Sequence, residues 1–413
     1  MSRVILHCDM NNFFASVECL LNPELAGKNV AVCGNIEERH GIVLAKNESA
    51  KKFGVKTGEA IWQAKQKCRD LVVVLPNYEN YVVFSKKAID IYSRYTDLIE
   101  PFGMDECWLD VTGSTRLFGS GEKIADDIRK TIKKELGLTI SVGVSFNKIF
   151  AKLGSDIKKP NAVTVIKENN FKKLIYGLPI TDLLGVGRST YDKLNRIGVN
   201  TIGELAVLPI ETIVCRLGKN GEKLWRYANG LDNSPVTNID YIAPIKSIGR
   251  GLTTSRDLVS DTDVKQLIIY LGIAVARKLR EHHLIAGGVQ ISVRDNKLIT
   301  REFQCKLDVE TNSASIISRC AYNLFKTRYV WNNDVRSLTV RAITLFPDIV
   351  PRQVDMFYNM DKIKRTEKLD VICDEISDRY GKNAVKPMTL IGLNHIPASR
   401  PDGALLPGFN ISG

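Results

Sequence analysis

Metal-binding cysteine pairs are missing from this chain. Its nine cysteines are odd in number, irregular in spacing and include no C-x-x-C. That excludes a disulfide framework and a zinc site, and points to reduced thiols in a cytoplasmic protein. Histidine is scarce: five residues, two of them adjacent (His282 and His283), supply no metal cluster. No apolar run has the length of a membrane span, and the opening MSRVILHCDM meets an acid too soon to be a signal peptide. Fixed-period repeats and low-complexity segments are absent too.

Size, apolar content and positive charge are what the chain has. Its 413 residues are 44% hydrophobic, which suits roughly two to four domains. The formal net charge of +12 favours a polyanionic partner, nucleic acid being the commonest, over plain surface solubilisation.

The pattern of elements changes along the chain. Residues 3–8 read as a buried strand ending at Asp9, followed by a helix with Phe13, Val17 and Leu20 on one face. Short strands (NVAVCG, GIVLAK) and a helix from Glu59 to Cys68 come next, then a helix from Tyr78 to Leu98. FGMDECWLDVTG reads as a β-hairpin around Gly103 to Glu106. After it come a helix (Lys123 to Glu135), a strand (LTISVGVS), a helix (Asn147 to Asp156) and a strand (AVTVI). This is an α/β sheet covered on one face. From 167 to 233 the pattern is helical with tight glycine turns; Thr201 to Glu204 is a capping box. A polar, proline-containing linker (231–245) leads to a smaller α+β domain with amphipathic helices over Val264 to Arg280 and Ile316 to Tyr329. Its strands include SIGRGLTT and SLTVRAITLF, with a hairpin through Asp295 and Asn296. The tail carries a helix with Leu369, Ile372 and Ile376 in register and Gly381 as its stop signal.

Three carboxylates attract attention. Asp9 ends a buried strand, and Asp105 and Glu106 sit adjacent in a hairpin turn beside Trp108 and Leu109. Acids in apolar surroundings are costly unless a cation relieves them. Three that converge suit two divalent ions about 3.5–4 Å apart, as in in-line phosphoryl transfer. The plain alternative is that Asp9 caps the following helix and that Asp105-Glu106 is a solvated turn. Lys51, Lys52 and the turn holding Lys159 supply positive charge for a triphosphate.

DMNNFFASVE, AKNESAKKFGVKTGEA, FGMDECWLDVTG and SVGVSFNKIFAKLGSDIKKPN resemble, in order and spacing, the palm and fingers motifs of the Y-family DNA polymerases. LLGVGRSTYDKL resembles their thumb helix-hairpin-helix and SIGRGLTTSRDL their first little-finger strand. The resemblance covers residues 3–346. The nearest groups are the DNA polymerase IV and UmuC types. It implies an α+β multidomain right hand: a ferredoxin-like palm (1–19 and 77–166), small fingers (20–76) and a helical thumb (167–233). A linker (234–245), an α+β little finger (246–346) and a tail (347–413) would follow.

Carried over by position, the resemblance makes Asp9, Asp105 and Glu106 the metal ligands and catalytic acids for two Mg²⁺, with the Met10 carbonyl as a further ligand. Phe14 becomes the steric gate against a 2′-hydroxyl, with core packing as its plainer role. Phe13, Lys51 and Lys159 become nucleotide contacts. The activity implied is low-fidelity translesion synthesis on primer–template DNA with dNTPs, by a monomer. Glu48 and Lys51 stand where the family usually has Tyr and Arg, and Gly103 where it often has Ser. Lys51 keeps a charge contact but not a bidentate one.

Gly185 and Gly187 do not make a dinucleotide fingerprint, since G-x-G-x-x-T lacks a βαβ context. A glycine turn that exposes backbone N–H groups at a helix start fits a DNA phosphate. Arg250, Thr253, Arg256, Arg336 and Arg341 lie on expected strands of the second domain. Arg250 and Arg336 match positions where the family's little finger holds the DNA backbone; solvated strand edges are the alternative. In the tail, Gln353, Val354, Met356 and Phe357 resemble the peptide that docks bacterial polymerases on the sliding clamp; a packing strand is the plainer reading. Two rival functions remain. A nucleotidyl cyclase on a similar palm has no use for the second basic domain. A weakly catalytic DNA-binding scaffold, or a UmuC-like subunit needing partners, has to explain the retained acids.

Overall fold

The apolar run near the N-terminus forms strand β1 (Ile5–Met10), every residue of it buried. A computed structural model describes residues 3–35, 41–349, 360–381 and 384–391. It divides into two compact units, the first over residues 3–34 and 42–242, the second mainly over residues 243–391. β1 does not stop before Asp9: the strand runs through it to Met10. Helix α1 (Phe13–Leu21) is led in by Asn12, held in a left-handed conformation (φ 50°). Asp9 therefore caps nothing.

A small sheet follows, built from β2 (Val30–Cys33), β3 (Val43–Lys46), helices α2 (Glu48–Lys52) and α3 (Ile61–Lys67), and β4 (Val72–Val74), in the order β3-β2-β4. α2 and β4 are absent from the sequence reading. α2 is one turn long and depends on its cap, Asn47 Oδ1 accepting from the Ala50 N–H at 3.0 Å.

Helix α4 (Tyr78–Tyr92) stops well before Leu98. The chain is bent there by Thr96, whose hydroxyl donates to the Asp110 carbonyl (2.8 Å) and accepts from the Leu98 N–H. The bend feeds β5 (Ile99–Pro101), which pairs antiparallel with β6 (Glu106–Asp110). A short α5 (Thr115–Phe118), α6 (Gly121–Leu136), β7 (Ile140–Ser145), α7 (Lys148–Ile157) and β8 (Val163–Val165) complete a five-stranded sheet, β5-β6-β1-β7-β8. Only the β7–β8 pairing is parallel.

This sheet is covered on both faces, not one. On one side Leu6, Cys8 and Met10 meet Phe13, Tyr81, Phe84, Ile91, Ile124, Ile128 and Val142 of α1, α4, α6 and β7. On the other side α7 lies against β7 so closely that a Cβ on Gly143 would fall 1.8 Å from the Ala151 carbonyl oxygen. Burial on both faces explains why β1 and β7 read as continuous apolar runs without alternation.

The outer side of α7 packs into a helical cluster through Ile149, Phe150 and Leu153. That cluster is α8 (Phe171–Ile175), a one-turn 3₁₀ helix (Ile180–Asp182), α9 (Arg188–Asn195), α10 (Ile202–Val207), α11 (Ile210–Leu217) and α12 (Lys219–Ala228). The capping box is present: Thr201 Oγ1 accepts from the Glu204 N–H, and Glu204 Oε2 accepts from the Thr201 N–H. The linker has no regular structure, yet its first half is tied down. Ser234 accepts from Arg3, the Thr237 N–H reaches Glu100 and the Ile239 N–H reaches the Asp97 carbonyl.

The second unit holds β9 (Ser247–Leu258), α13 (Asp261–Glu281), β10 (Leu284–Asp295), β11 (Thr300–Thr311), α14 (Ala314–Arg328) and β12 (Val335–Pro347). Its antiparallel sheet runs β11-β10-β12-β9. Leu267, Leu271, Val275, Ile317, Phe325, Ile291, Leu338 and Val340 form its core. The tail helix α15 (Met360–Tyr380) ends at Gly381, φ +99°, as the stop signal implies. It docks by charge, however, and not by the apolar register. Asp374 pairs with Arg280 at 2.7 Å and Asp370 accepts from the Ala314 N–H at 2.8 Å, while Leu369 and Ile372 are exposed.

Candidate active site

Asp9 and Glu106 are direct cross-strand partners on β1 and β6, so their side chains share one face of the sheet. The Met10 N–H donates to the Asp105 carbonyl at 2.9 Å. The turn between the strands closes where the Phe102 N–H meets the Glu106 carbonyl at 2.8 Å. Gly103 supplies the positive φ (+95°) that this turn requires. Strand pairing and one tight turn thus bring the three acids to the same end of the β1–β6 pair. Because strand side chains alternate, His7 lies on the same face as Asp9.

The electrostatics are uneven. Burial, then the charges of Asp9 and Glu106, push Asp105 up to about 7. Burial, with Glu106 adding to it against Lys159, pushes Asp9 up to about 6. Glu106 goes the other way, to about 2: despite its burial, a hydrogen bond from His7 and the charge of Lys152 stabilise the anion. His7 Nε2 is 3.2 Å from Glu106, and its Nδ1 is 2.9 Å from Ser155 Oγ on α7. Lys159 Nζ lies 2.7 Å from both Asp9 and Asp156.

Among the described residues no three carboxylate, imidazole or thiol groups close round a single point; Lys159 faces Asp9 and Lys152 faces Glu106 instead. Asp105 has no ion-pair partner among the described residues. Two aspartates that hold their protons up to near neutral pH through burial and mutual repulsion are a demand for positive charge. Carboxylate oxygens beside a strand-end backbone form a hard donor set. The residues present therefore fit a divalent cation.

Around the acids, Phe14 and Phe13 have opposite fates. Phe14 is half-buried, its ring stacked on Tyr81 (centroids 4.2 Å, 10°) with Tyr78 edge-on at 6.0 Å. The Tyr81 hydroxyl is fixed by Glu18 at 2.6 Å. Phe13 is 3% exposed, its ring packed in the core beside Tyr81. Lys51 is half exposed and 3.6 Å from Glu48, which also accepts from Asn12. Sequence reasoning missed His7, Lys152, Ser155, Tyr78 and Tyr81. The two-residue period from Asp9 to His7 was a usable signal; the others are joined only by packing.

The glycine turn is formed, with Gly185 at φ +95° and Gly187 leading into α9. On the second unit's sheet the expected DNA contacts separate. Arg341 and Thr253 are opposite Gly249 and Ser337, on the face away from the helices. Gly249 leaves the room in which the Arg341 side chain lies. Arg250 pairs with the buried Val340 and so faces the helix side at the sheet edge. Arg256 is bonded to Asp263 of α13 at 3.1 Å. Arg336 sits in the bulge between Val335 and Ser337, its carbonyl accepting from Thr254. Of the five expected DNA contacts, Thr253 and Arg341 share the open face of the sheet. Gln353, Val354, Met356 and Phe357 lie outside the described residues. No described helix is long and apolar enough to cross a membrane.

Comparison with known proteins agrees with this geometry. Residues 8–156 match the impB/mucB/samB family and residues 245–356 its C-terminal domain. Residues 181–232 match the thumb domain of DNA polymerase-iota. The chain is 53% identical to a DNA polymerase IV of Acetivibrio thermocellus, over 96% of this chain and 100% of that one. It is 34% identical to DNA polymerase IV 1 of Bacillus subtilis, over 93% and 92%. A solved Y-family DNA polymerase chimera of Dbh and Dpo4 superposes with a TM-score of 0.73 at 26% identity, covering 83% of this chain and 99% of that one. The chain belongs to the impB/mucB/samB family, the Y-family of DNA polymerases.

Proposed function

We propose that this chain copies DNA past damaged bases, adding nucleotides from dNTPs to a primer 3′-hydroxyl at low fidelity. The observation that carries the reading is the pairing of Asp9 with Glu106 across β1 and β6, with the Asp105 carbonyl bonded to the Met10 N–H. In our reading the sheet of β1 and β5–β8 is the palm (1–19 and 77–166), the small sheet the fingers (20–76) and α8–α12 the thumb (167–233). The sheet of β9–β12 is then the little finger (246–346).

Asp9, Asp105 and Glu106, with the Met10 carbonyl, are the groups that would hold two Mg²⁺. Bound there, these ions supply the charge that activates the primer hydroxyl and neutralises the departing pyrophosphate. The protein's own residues do the rest. Glu106, kept anionic by His7 and Lys152, is available at every working pH. Lys159 and Lys51 are point charges for the triphosphate. The ring of Phe14, backed by Tyr81, lies where a sugar 2′-hydroxyl would collide with it. The primer oxygen attacks the α-phosphorus in line, and pyrophosphate leaves toward the lysines.

The Gly185–Gly187 turn and the open face with Thr253 and Arg341 take the DNA backbone without regard to sequence. The tail peptide Gln353–Phe357 docks on a sliding clamp. The polymerase acts as a monomer in the cytoplasm, where its template is. A cyclase would have no use for a second, DNA-facing sheet. A scaffold would have no reason to keep two aspartates whose burial raises their pKa.

The experiment is extension of a primed template with Mg²⁺ and dNTPs, across an abasic site and on an undamaged control. Synthesis on both supports the reading. Synthesis that stalls at the lesion removes the bypass role, and DNA binding without synthesis moves the chain to the scaffold or UmuC-like class.

A further inference from the structure

The chemistry above makes no use of Asn11, although its buried amide is hydrogen-bonded at both its oxygen and its nitrogen. It is 5% exposed and two residues beyond Asp9. Its backbone N–H donates to the Thr139 carbonyl at 2.9 Å and its carbonyl accepts from Ser16 Oγ at 2.8 Å. Its Nδ2 donates to Ser141 Oγ at 2.8 Å. Its Oδ1 accepts the backbone N–H of Asn161 at 2.9 Å. Asn161 is held from the other side as well. Its Oδ1 accepts from Arg129 Nη1 at 3.0 Å, and that guanidinium is clamped by Asp126 at 2.6 Å. Asn161 itself has φ +55°, a left-handed conformation that asparagine adopts more readily than most residues.

The tethered residue ends the turn Lys159-Pro160-Asn161, which joins α7 to β8. Lys159 stands at its start, with its ammonium 2.7 Å from Asp9. A lysine on a free turn would spread its charge over many positions. Here the turn is pinned at its far end from two directions, and one of the pins is the residue that directly follows the strand carrying Asp9. The sheet register thereby sets the distance between the anion and the cation.

We propose that Asn11 is a positioning residue: its amide fixes the 159–161 turn and so delivers the Lys159 charge to the triphosphate. This rests on the reading of Lys159 as a phosphate contact. Both ends of the amide are used, the oxygen for the tether and the nitrogen for Ser141. Asn11→Asp keeps the acceptor that holds Asn161, whereas Asn11→Leu keeps the volume and loses both bonds.

The test has two arms. In the first, hydrogen exchange is followed in the peptide containing Asn161. Exchange rises by roughly tenfold or more in Asn11→Leu and stays near the parent rate in Asn11→Asp. Equal exchange in all three proteins overturns the tether. In the second, dNTP KM and kcat are measured on undamaged primer–template for both variants, for Lys159→Ala and for Asn11→Leu/Lys159→Ala. Asn11→Leu raises KM about three- to tenfold with a smaller change in kcat, and adds nothing further once Lys159 is gone. An additive effect in the double variant, or an unchanged KM in Asn11→Leu, overturns the link between tether and lysine. If Lys159→Ala itself leaves KM unchanged, the phosphate role of Lys159 fails and the delivery claim fails with it; the exchange arm then still decides the tether. Melting curves separate these effects from misfolding, and Asn11→Ala, which also loses both bonds, serves if Asn11→Leu does not fold.

Discussion

The Asn12 side-chain amide donates to Glu48 Oε1 at 2.8 Å, tying the first residue of α2 to the turn ahead of Phe14. Asn12 is the left-handed residue that leads α1, and Glu48 is also 3.6 Å from Lys51. The carboxylate thus occupies Lys51 in the way a phosphate would. Both side chains of that ion pair are more than a third exposed, so an incoming triphosphate displaces it easily. Glu48→Gln keeps the bond to Asn12 and removes the competing charge. At the screened distances involved, this is worth about 0.5–1 kcal/mol, or a two- to fivefold fall in dNTP KM with kcat nearly unchanged. Steady-state extension at low and high salt checks it; a KM that rises would show that Glu48 assists nucleotide binding.

The stacking of Phe14 on Tyr81 leaves the Phe14 ring little room to yield. On the proposed role of Phe14 as steric gate, Phe14→Ala should increase ribonucleotide incorporation by on the order of a hundredfold relative to the parent. Competition between a dNTP and its ribonucleotide on one template measures it. Unchanged sugar selectivity would move the gate elsewhere.

Asp105→Asn should reduce extension by at least about a thousandfold while primer–template affinity stays within a few-fold. The same substitution has a signature without DNA. Asp9 and Asp105 have folded pKa values raised to about 6 and about 7. The stability they contribute is full below the unfolded value near 4 and is lost as pH rises through 6 and 7. Metal-free protein should therefore melt at higher temperature as pH falls from 8 to 5, with a shallower slope in Asp105→Asn. Mg²⁺ should raise the melting temperature more at pH 8 than at pH 6. Parallel slopes in the two proteins would refute the assignment.

Replacing Met356 and Phe357 by Ala should leave unassisted synthesis intact and remove its stimulation by a cognate sliding clamp, since the two apolar anchors supply most of the affinity of such a peptide. Extension assays with and without clamp decide between this and a docking site elsewhere.

Gly143 admits no side chain, because the carbonyl of Ala151 and the N–H of Ser155 occupy the space. Gly143→Ala should destabilise the first unit by about 3 kcal/mol or more. Gly177→Ala, which meets nothing within 4 Å, should be nearly neutral. Thermal melts of the two variants compare them directly.

Much of the site was legible because it is local. The acids, Phe14 and the Thr201–Glu204 cap lie within short motifs whose spacing carries their meaning, and continuous apolar runs marked β1 and β7. α2 and β4 were not legible, being single-turn and three-residue elements that exist only through their caps and neighbours. The end of α4 depends on Thr96 reaching Asp110, a partner a strand away. The tail helix misled for a different reason. Its apolar register is real, but Arg280 offered its acids a stronger attachment than its leucine and isoleucines found.

The sequence by itself determined the family, the motifs that hold Asp9, Asp105, Glu106 and Phe14, and most of the order of elements, because each is written in residues close together in the chain. Only the tertiary structure decided in which direction burial and neighbours move each acid's pKa, that the Phe14 ring stacks on Tyr81, and that Arg250 and Arg341 face opposite ways. It also tied Asn11 to Asn161 and Asn12 to Glu48. These outcomes depend on burial and on partners dozens of residues away, and neither quantity exists until the strands are paired.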